Sequence, residues 1–214
     1  MTTATDAKAL SFDDGALPAG ASEDGRHARR DRNRLAVVDA MLSLYAAGNL
    51  DPSSDEIAER AGLSPRSLFR YFDDLDDLVR VAISRQYERL QPVTKLDVST
   101  NDPIVERIDR LVAQRLGLFE RIGSVGVVSR VREPFQPVIA SELAIFRTFL
   151  RHQLEQLFAP ELAQLGVAGC ANAVATIDVL TSFESLRLLR DDQQLTQPQI
   201  TGALTEALTR LLGV

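Results

Sequence analysis

Apolar positions along most of the chain recur at the three- and four-residue spacing of one helix face, and no useful length alternates as a strand would. Val38, Met41, Leu42 and Tyr45 mark the first such face, and Gly48 stands where a helix ends in the left-handed conformation. Ser53, followed three residues on by Glu56, is a capping box. It opens a short helix with an inner face of Ile57, Ala58 and Ala61, stopped by Gly62. Ser64-Pro65 joins an N-cap to a first-turn proline and starts a third helix that buries Leu68 and Phe72. Asp73 or Asp74 can cap a fourth, which runs through Leu78, Ala82, Ile83 and Tyr87.

Beyond Pro92 the pattern is again punctuated helix. Pro103 starts a segment through Ile104, Ile108, Leu111, Leu118 and Ile122, and residues 123–132 read as a short helix or turn-rich connector. Pro134 and Pro137 precede a long helix with Leu143, Phe146, Leu150, Leu154 and Leu157. A further helix is expected from about Val167 to Arg190, and a last one after Thr196 with Pro198 in its first turn. The expected architecture is all-α with about nine helices. Residues 1–25, rich in Ala, Gly, Asp and Ser without apolar period, are expected to be a disordered tail. A three-helix unit over 26–74 and a helical domain over 75–214 follow.

Charge adds a local detail. The net charge is −6, yet residues 26–72 carry eight arginines against six carboxylates while both flanking stretches are acidic. A basic footprint on an acidic chain suits a protein that meets phosphates with one face. Arg26, His27, Arg29, Arg30, Arg32 and Arg34 form a basic arm leading into the first helix.

The remaining composition narrows the classes. One cysteine, Cys170, builds no disulfide framework within one chain, Met1 to Glu23 is too polar for a secretory signal, and no apolar run is long enough to span a membrane. A cytoplasmic protein is expected. Two histidines, His27 and His152, with one cysteine offer no clustered zinc site, and no phosphate-cradling Gly-rich loop or nucleophile elbow is present. Neither catalytic residues nor a metal nor a cofactor is expected.

The two short capped helices joined by Ala61-Gly62-Leu63-Ser64 form a helix-turn-helix, whose second helix can enter the major groove. Pro65, Arg66, Ser67 and Arg70 would stand on its outward N-terminal turn, and bidentate arginine to guanine is the commonest specific base contact. The exact residues go further. Arg34, Val37-Val38-Asp39-Ala40, Leu44-Tyr45, Gly48, the run Ser53 to Ser64, Ser67 to Phe72 and Leu78 together resemble the DNA-binding domain of the TetR family of bacterial transcriptional regulators. The resemblance implies that Ser53, Ser64, Ser67 and Tyr71 meet phosphates. It implies that Pro65, Arg66 and Arg70 face base edges or nearby phosphates, with Arg30 and Arg34 reaching the adjacent backbone. Two positions depart from the family's pattern: Phe69 replaces a tyrosine, and Leu75 replaces a phosphate-contacting lysine, among Asp73, Asp74, Asp76 and Asp77.

The resemblance also implies an effector-binding and dimerising C-terminal domain, and hence a one-component regulator, commonly a repressor, that binds double-stranded operator DNA as a homodimer and is released by a small molecule. Ile177, Leu180, Phe183, Leu186, Leu204, Leu208 and Leu211 are the expected dimer stripe. Arg115, Phe119, Arg132, Phe146, Phe149, Asp178, Thr181 and Ser182 are the expected pocket. The competing reading is a helical interaction module whose helix-turn-helix meets protein instead of DNA.

Overall fold

The computed structural model describes residues 20–213, with side chains from His27 onward. Ten α-helices and one π-helical turn make up the described chain, without strands: α1 (Gly20–Ala46), α2 (Ser54–Arg60), α3 (Pro65–Leu68), α4 (Leu75–Thr94), α5 (Ile104–Arg132), α6 (Pro137–Leu157), α7 (Ala159–Leu162), α8 (Gly166–Leu180), α9 (Phe183–Arg187), the π turn Leu188–Asp192, and α10 (Gln197–Leu211). Of the residues expected in the tail, 20–25 belong to α1, and 1–19 lie outside the described ones. The basic run is therefore part of a helix.

The punctuation acts where it was expected. Gly48 (φ +87°) closes α1 as its amide reaches the Tyr45 carbonyl at 3.0 Å and the Asn49 amide reaches that of Leu44 at 3.1 Å. This double closure satisfies carbonyls that a helix end leaves orphaned. Asp74 caps α4, accepting from the Asp77 amide at 2.7 Å. The expected helix from Val167 to Arg190 is instead broken and bent by 42°. Ser182 takes the Ser185 amide at 3.1 Å and starts α9, a local serine bond that competes with helix continuation. Within α5, Gly123 (φ 48°, ψ −135°) breaks the helix and re-aims residues 124–132, the segment read as a short helix or connector.

Two apolar cores result. One gathers Val37, Val38, Met41, Leu44, Ile57, Leu68, Phe72 and Leu78 from α1–α4, and is completed by Val128 of α5 and Ile139 of α6. The other gathers Ile108, Leu111, Leu118, Leu154, Ile177, Leu204 and Leu208 from the later helices. The first core therefore leans on the second segment of α5, so the two units share a seam rather than a free linker.

The expected dimer stripe needs correction. Ile177, Leu186, Leu204 and Leu208 are buried in their own core, and Leu180, Phe183 and Leu211 pack against it. A helix that is apolar nearly all round gives no periodicity to choose its outward face. The outward face of α8 is Val167, Ala171, Ala175 and Val179, one residue per four, with Val167 and Val179 92% and 64% exposed.

Candidate nucleic-acid interface

The helix-turn-helix is built from local bonds. Ser53 accepts the Glu56 amide at 3.3 Å while the Ser53 amide donates to the Glu56 carboxylate at 2.7 Å, closing the capping box of α2. Those donors hold the Glu56 carboxyl below the ordinary carboxylate range. At the other end Gly62 (φ +69°) turns the chain, with the Leu63 amide on the Ala58 carbonyl at 2.9 Å. Gly62 has open space around it, so its left-handed backbone, not crowding, is what calls for glycine. Ser64 then caps α3 by accepting the Ser67 amide at 3.3 Å.

The short α3 is anchored by Leu68, wholly buried, with Phe72 just beyond it. Burying each such side chain is worth about 1.5–3 kcal/mol, enough to orient a helix too short to persist alone. With Leu68 inward, Pro65, Arg66, Phe69 and Arg70 stand exposed on the outer face, Phe69 at 53%. Arg66 and Arg70 have no ion pair among the described residues, so both guanidiniums keep their donors for an external anion. Their forked geometry suits guanine edges and phosphates alike.

Ser67 and Tyr71 are half-buried at the flank of this face. Asn33 of α1 donates to the Tyr71 hydroxyl at 2.8 Å, which leaves the tyrosine proton free to donate outward. Asn33 escaped sequence reasoning because nothing local links residues 38 apart. The hydroxyls of Ser64 and Ser67 pair with each other at 2.9 Å, and that of Ser53 donates to Glu56 at 2.8 Å, so a phosphate must draw these serines from existing partners.

The arginines of α1 divide. Arg29, Arg30 and Arg32 are exposed. Arg34 is partly exposed and reaches across to α4: its guanidinium lies 5.2 Å from the Phe72 ring centroid and 3.6 Å from Asp77. It ties α1 to the segment that follows α3. Two of the four acids near Leu75 are likewise occupied, Asp74 as the cap of α4 and Asp77 as Arg34's partner. Leu75 itself is 44% exposed at the first turn of α4, where it offers no charge.

The expected pocket residues scatter. Arg115 is buried in the core, where it donates to the Leu150 carbonyl at 2.9 Å and to Gln153 at 3.1 Å, and burial lowers its pKa to about 10. Asp178 pairs with Arg151 at 2.9 Å on the α6–α8 surface. Thr181 and Ser182 are engaged in the α8–α9 break, and Phe119 packs edge-on to Phe183. Arg132 lies elsewhere again: from the end of α5 it grips the Leu50 carbonyl at 3.0 Å and the Asp51 carboxylate at 2.5 Å, on the loop leading to α2. Phe146 and Phe149 stack on each other on α6.

The all-α chain thus presents Arg66 and Arg70 outward from a capped helix-turn-helix. Residues 38–82 match the family model described as bacterial regulatory proteins, tetR family. No curated protein matches the sequence. Among solved structures, a transcriptional regulator from Rhodococcus sp. Rha1 is similar at TM-score 0.64 and 15% identity, over 86% of this chain and 96% of that one. A second Rhodococcus structure, assigned to the TetR-family transcriptional regulators, is similar at TM-score 0.64 and 16% identity, over 85% of this chain and 99% of that one. The N-terminal unit is thus similar to the DNA-binding domain of the TetR family, and the chain as a whole shares its fold with TetR-family regulators.

Proposed function

We propose that the protein represses transcription by binding operator DNA as a homodimer and that a small-molecule effector releases it. The observation that carries this reading is the outer surface of α3 and of the turn after it, where Arg66 and Arg70 stand without an ion partner among the described residues, above the buried anchor Leu68. Base-reading specificity rests on Arg66 and Arg70; register rests on Ser53, Ser67, Tyr71 and the exposed arginines of α1.

One recognition helix reads only a half-site, so a second copy must hold its own helix about one DNA turn away, roughly 34–36 Å. The outward face of α8, Val167 to Val179, is the surface we assign to that contact. It forms one wall of an open, largely apolar groove between α6 and α8, together with Cys170 and Val174. Effector release is a population shift: the effector binds more tightly to a form whose helices miss successive grooves, and operator DNA weakens effector binding by the same factor.

Fluorescence anisotropy with a duplex pool, beginning with DNA upstream of the protein's own gene, tests the reading. Arg66→Ala should lower discrimination between operator and random duplex by about 1–3 kcal/mol. Binding should weaken steeply as salt rises. Salt-independent binding, or an unchanged specificity ratio in Arg66→Ala, would make the helix-turn-helix a surface for protein instead.

A further inference from the structure

We propose that the chain binds a small, uncharged, predominantly apolar molecule in a cavity at the seam between the DNA-reading unit and the helical domain, entered past the Tyr87–Phe146 pair. The cavity has a volume of about 90 Å³, and its walls include Met41 and Tyr45 of α1, Ala82 of α4, Val125 of α5, and Leu143 and Phe146 of α6. Protein interiors are close-packed and hold few voids of this kind. Apolar cavities stay dry and accept apolar guests; one of roughly 150 Å³ takes benzene, so a guest here is at most a single ring or a short chain and must part the seam as it enters.

Features around the cavity support the assignment. Tyr87 of α4 stacks on Phe146 at 5.5 Å between centroids and 21° between planes, and both rings belong also to an outer groove. In that groove Phe149 stacks on Phe146 at 6.4 Å, and Phe149 and Ile145 remain 43% and 61% exposed. A continuous aromatic path thus runs from solvent to the cavity. The Tyr87 hydroxyl donates to the Glu142 carbonyl at 3.0 Å, and burial pushes its pKa up to about 12, so the phenol itself stays neutral. Glu142 is the one carboxylate in the lining, which disfavours an anionic guest.

The location connects the guest to the DNA-reading unit. Beyond the Gly123 break, the second segment of α5 places Val125 and Ser129 in the wall, Val128 in the N-terminal core, and Arg132 on Leu50 and Asp51, just before the Ser53 cap. A guest that parts α1 from this segment also bears on the loop that leads into α2. This consequence rests on the operator-binding reading; the site itself does not.

The chain has two methionines, Met1 and Met41, so [¹³C-methyl]methionine labelling of the full chain places one reporter in the wall. Toluene should shift the Met41 methyl resonance and raise Tm by about 3–5 °C at tenfold over its Kd, while benzoate does neither. Ala82→Leu and, separately, Val125→Phe fill the cavity and should abolish both effects; either variant suffices if the other fails to fold. A Met41 resonance unmoved by saturating toluene, or moved equally in the filled variants, overturns the site. Toluene should also weaken binding of a selected duplex several-fold in wild type and less in Arg132→Ala. A shifted Met41 with unchanged duplex affinity overturns the coupling, whereas failure to prefer any duplex before toluene is added overturns the operator reading alone.

Discussion

The helix-turn-helix unit and the helical domain behind it are made of similar helices, yet their instructions differ in range. In the first unit nearly every turn is decided within five residues: Ser53 with Glu56, Gly62 with Ala58 and Glu59, Ser64 with Ser67. In the second, α8 is apolar on both faces, and only its neighbours decide that Ile177 points inward while Val179 points out. Local chemistry can specify a recognition surface, whereas an apolar helix leaves core and interface indistinguishable until its partners are placed.

The widest separation between the two regions should appear on truncating their anchors. Phe72→Ala removes a side chain only 2% exposed from the smaller core and should cost about 3–5 kcal/mol in urea unfolding, abolishing duplex binding with it. An effect below about 1 kcal/mol would mean that the seam, not the core of α1–α4, holds the recognition segment.

The corrected stripe on α8 gives a second contrast. Ile177→Ala should destabilise by about 2–5 kcal/mol, since Ile177 has no exposed surface in a packed core. Val179→Asp should change the stability of the isolated subunit by under about 0.5 kcal/mol while shifting the proposed dimer toward monomer in sedimentation at micromolar concentration. The reverse outcome would restore Ile177 to the interface.

These contrasts also explain what could be read in advance. The helix pair, both caps, the Asp74 cap and the exposed Arg66 and Arg70 were legible because each is encoded within a few residues. The contacts of Arg34 were not: they depend on where Phe72 and Asp77 fall after folding. Arg132 was misassigned to a pocket for the same reason, its partners Leu50 and Asp51 lying 82 and 81 residues away. Asn33, which steadies Tyr71, left no local trace. Polar residues near apolar stripes did not locate a cavity, because Arg115 and Thr181 satisfy themselves on backbone carbonyls. The aromatic residues Phe146 and Phe149 came closer, since packing in the cavity and groove uses rings rather than charges.

The smallest expected effect tests whether the capping box acts as locally as its spacing implies. Ser53→Ala should cost about 1 kcal/mol at neutral pH, the usual worth of an N-cap side chain. The Glu56 carboxyl is held below its ordinary value of 4.5, first by the Ser53 amide and then by its hydroxyl. A depressed folded pKa stabilises fully above the unfolded value, and that contribution is lost as pH falls through the folded one. Wild type should therefore lose this increment only below about pH 4.5, and Glu56→Gln should flatten that part of the acid decline. Ser53→Ala should flatten it partly, because the backbone amide remains as a donor. Urea midpoints for the three proteins from pH 7 to pH 3 measure it. Parallel curves throughout would show that α2 draws its stability from Ile57 and Ala58 in the core and that its cap only marks where the helix begins.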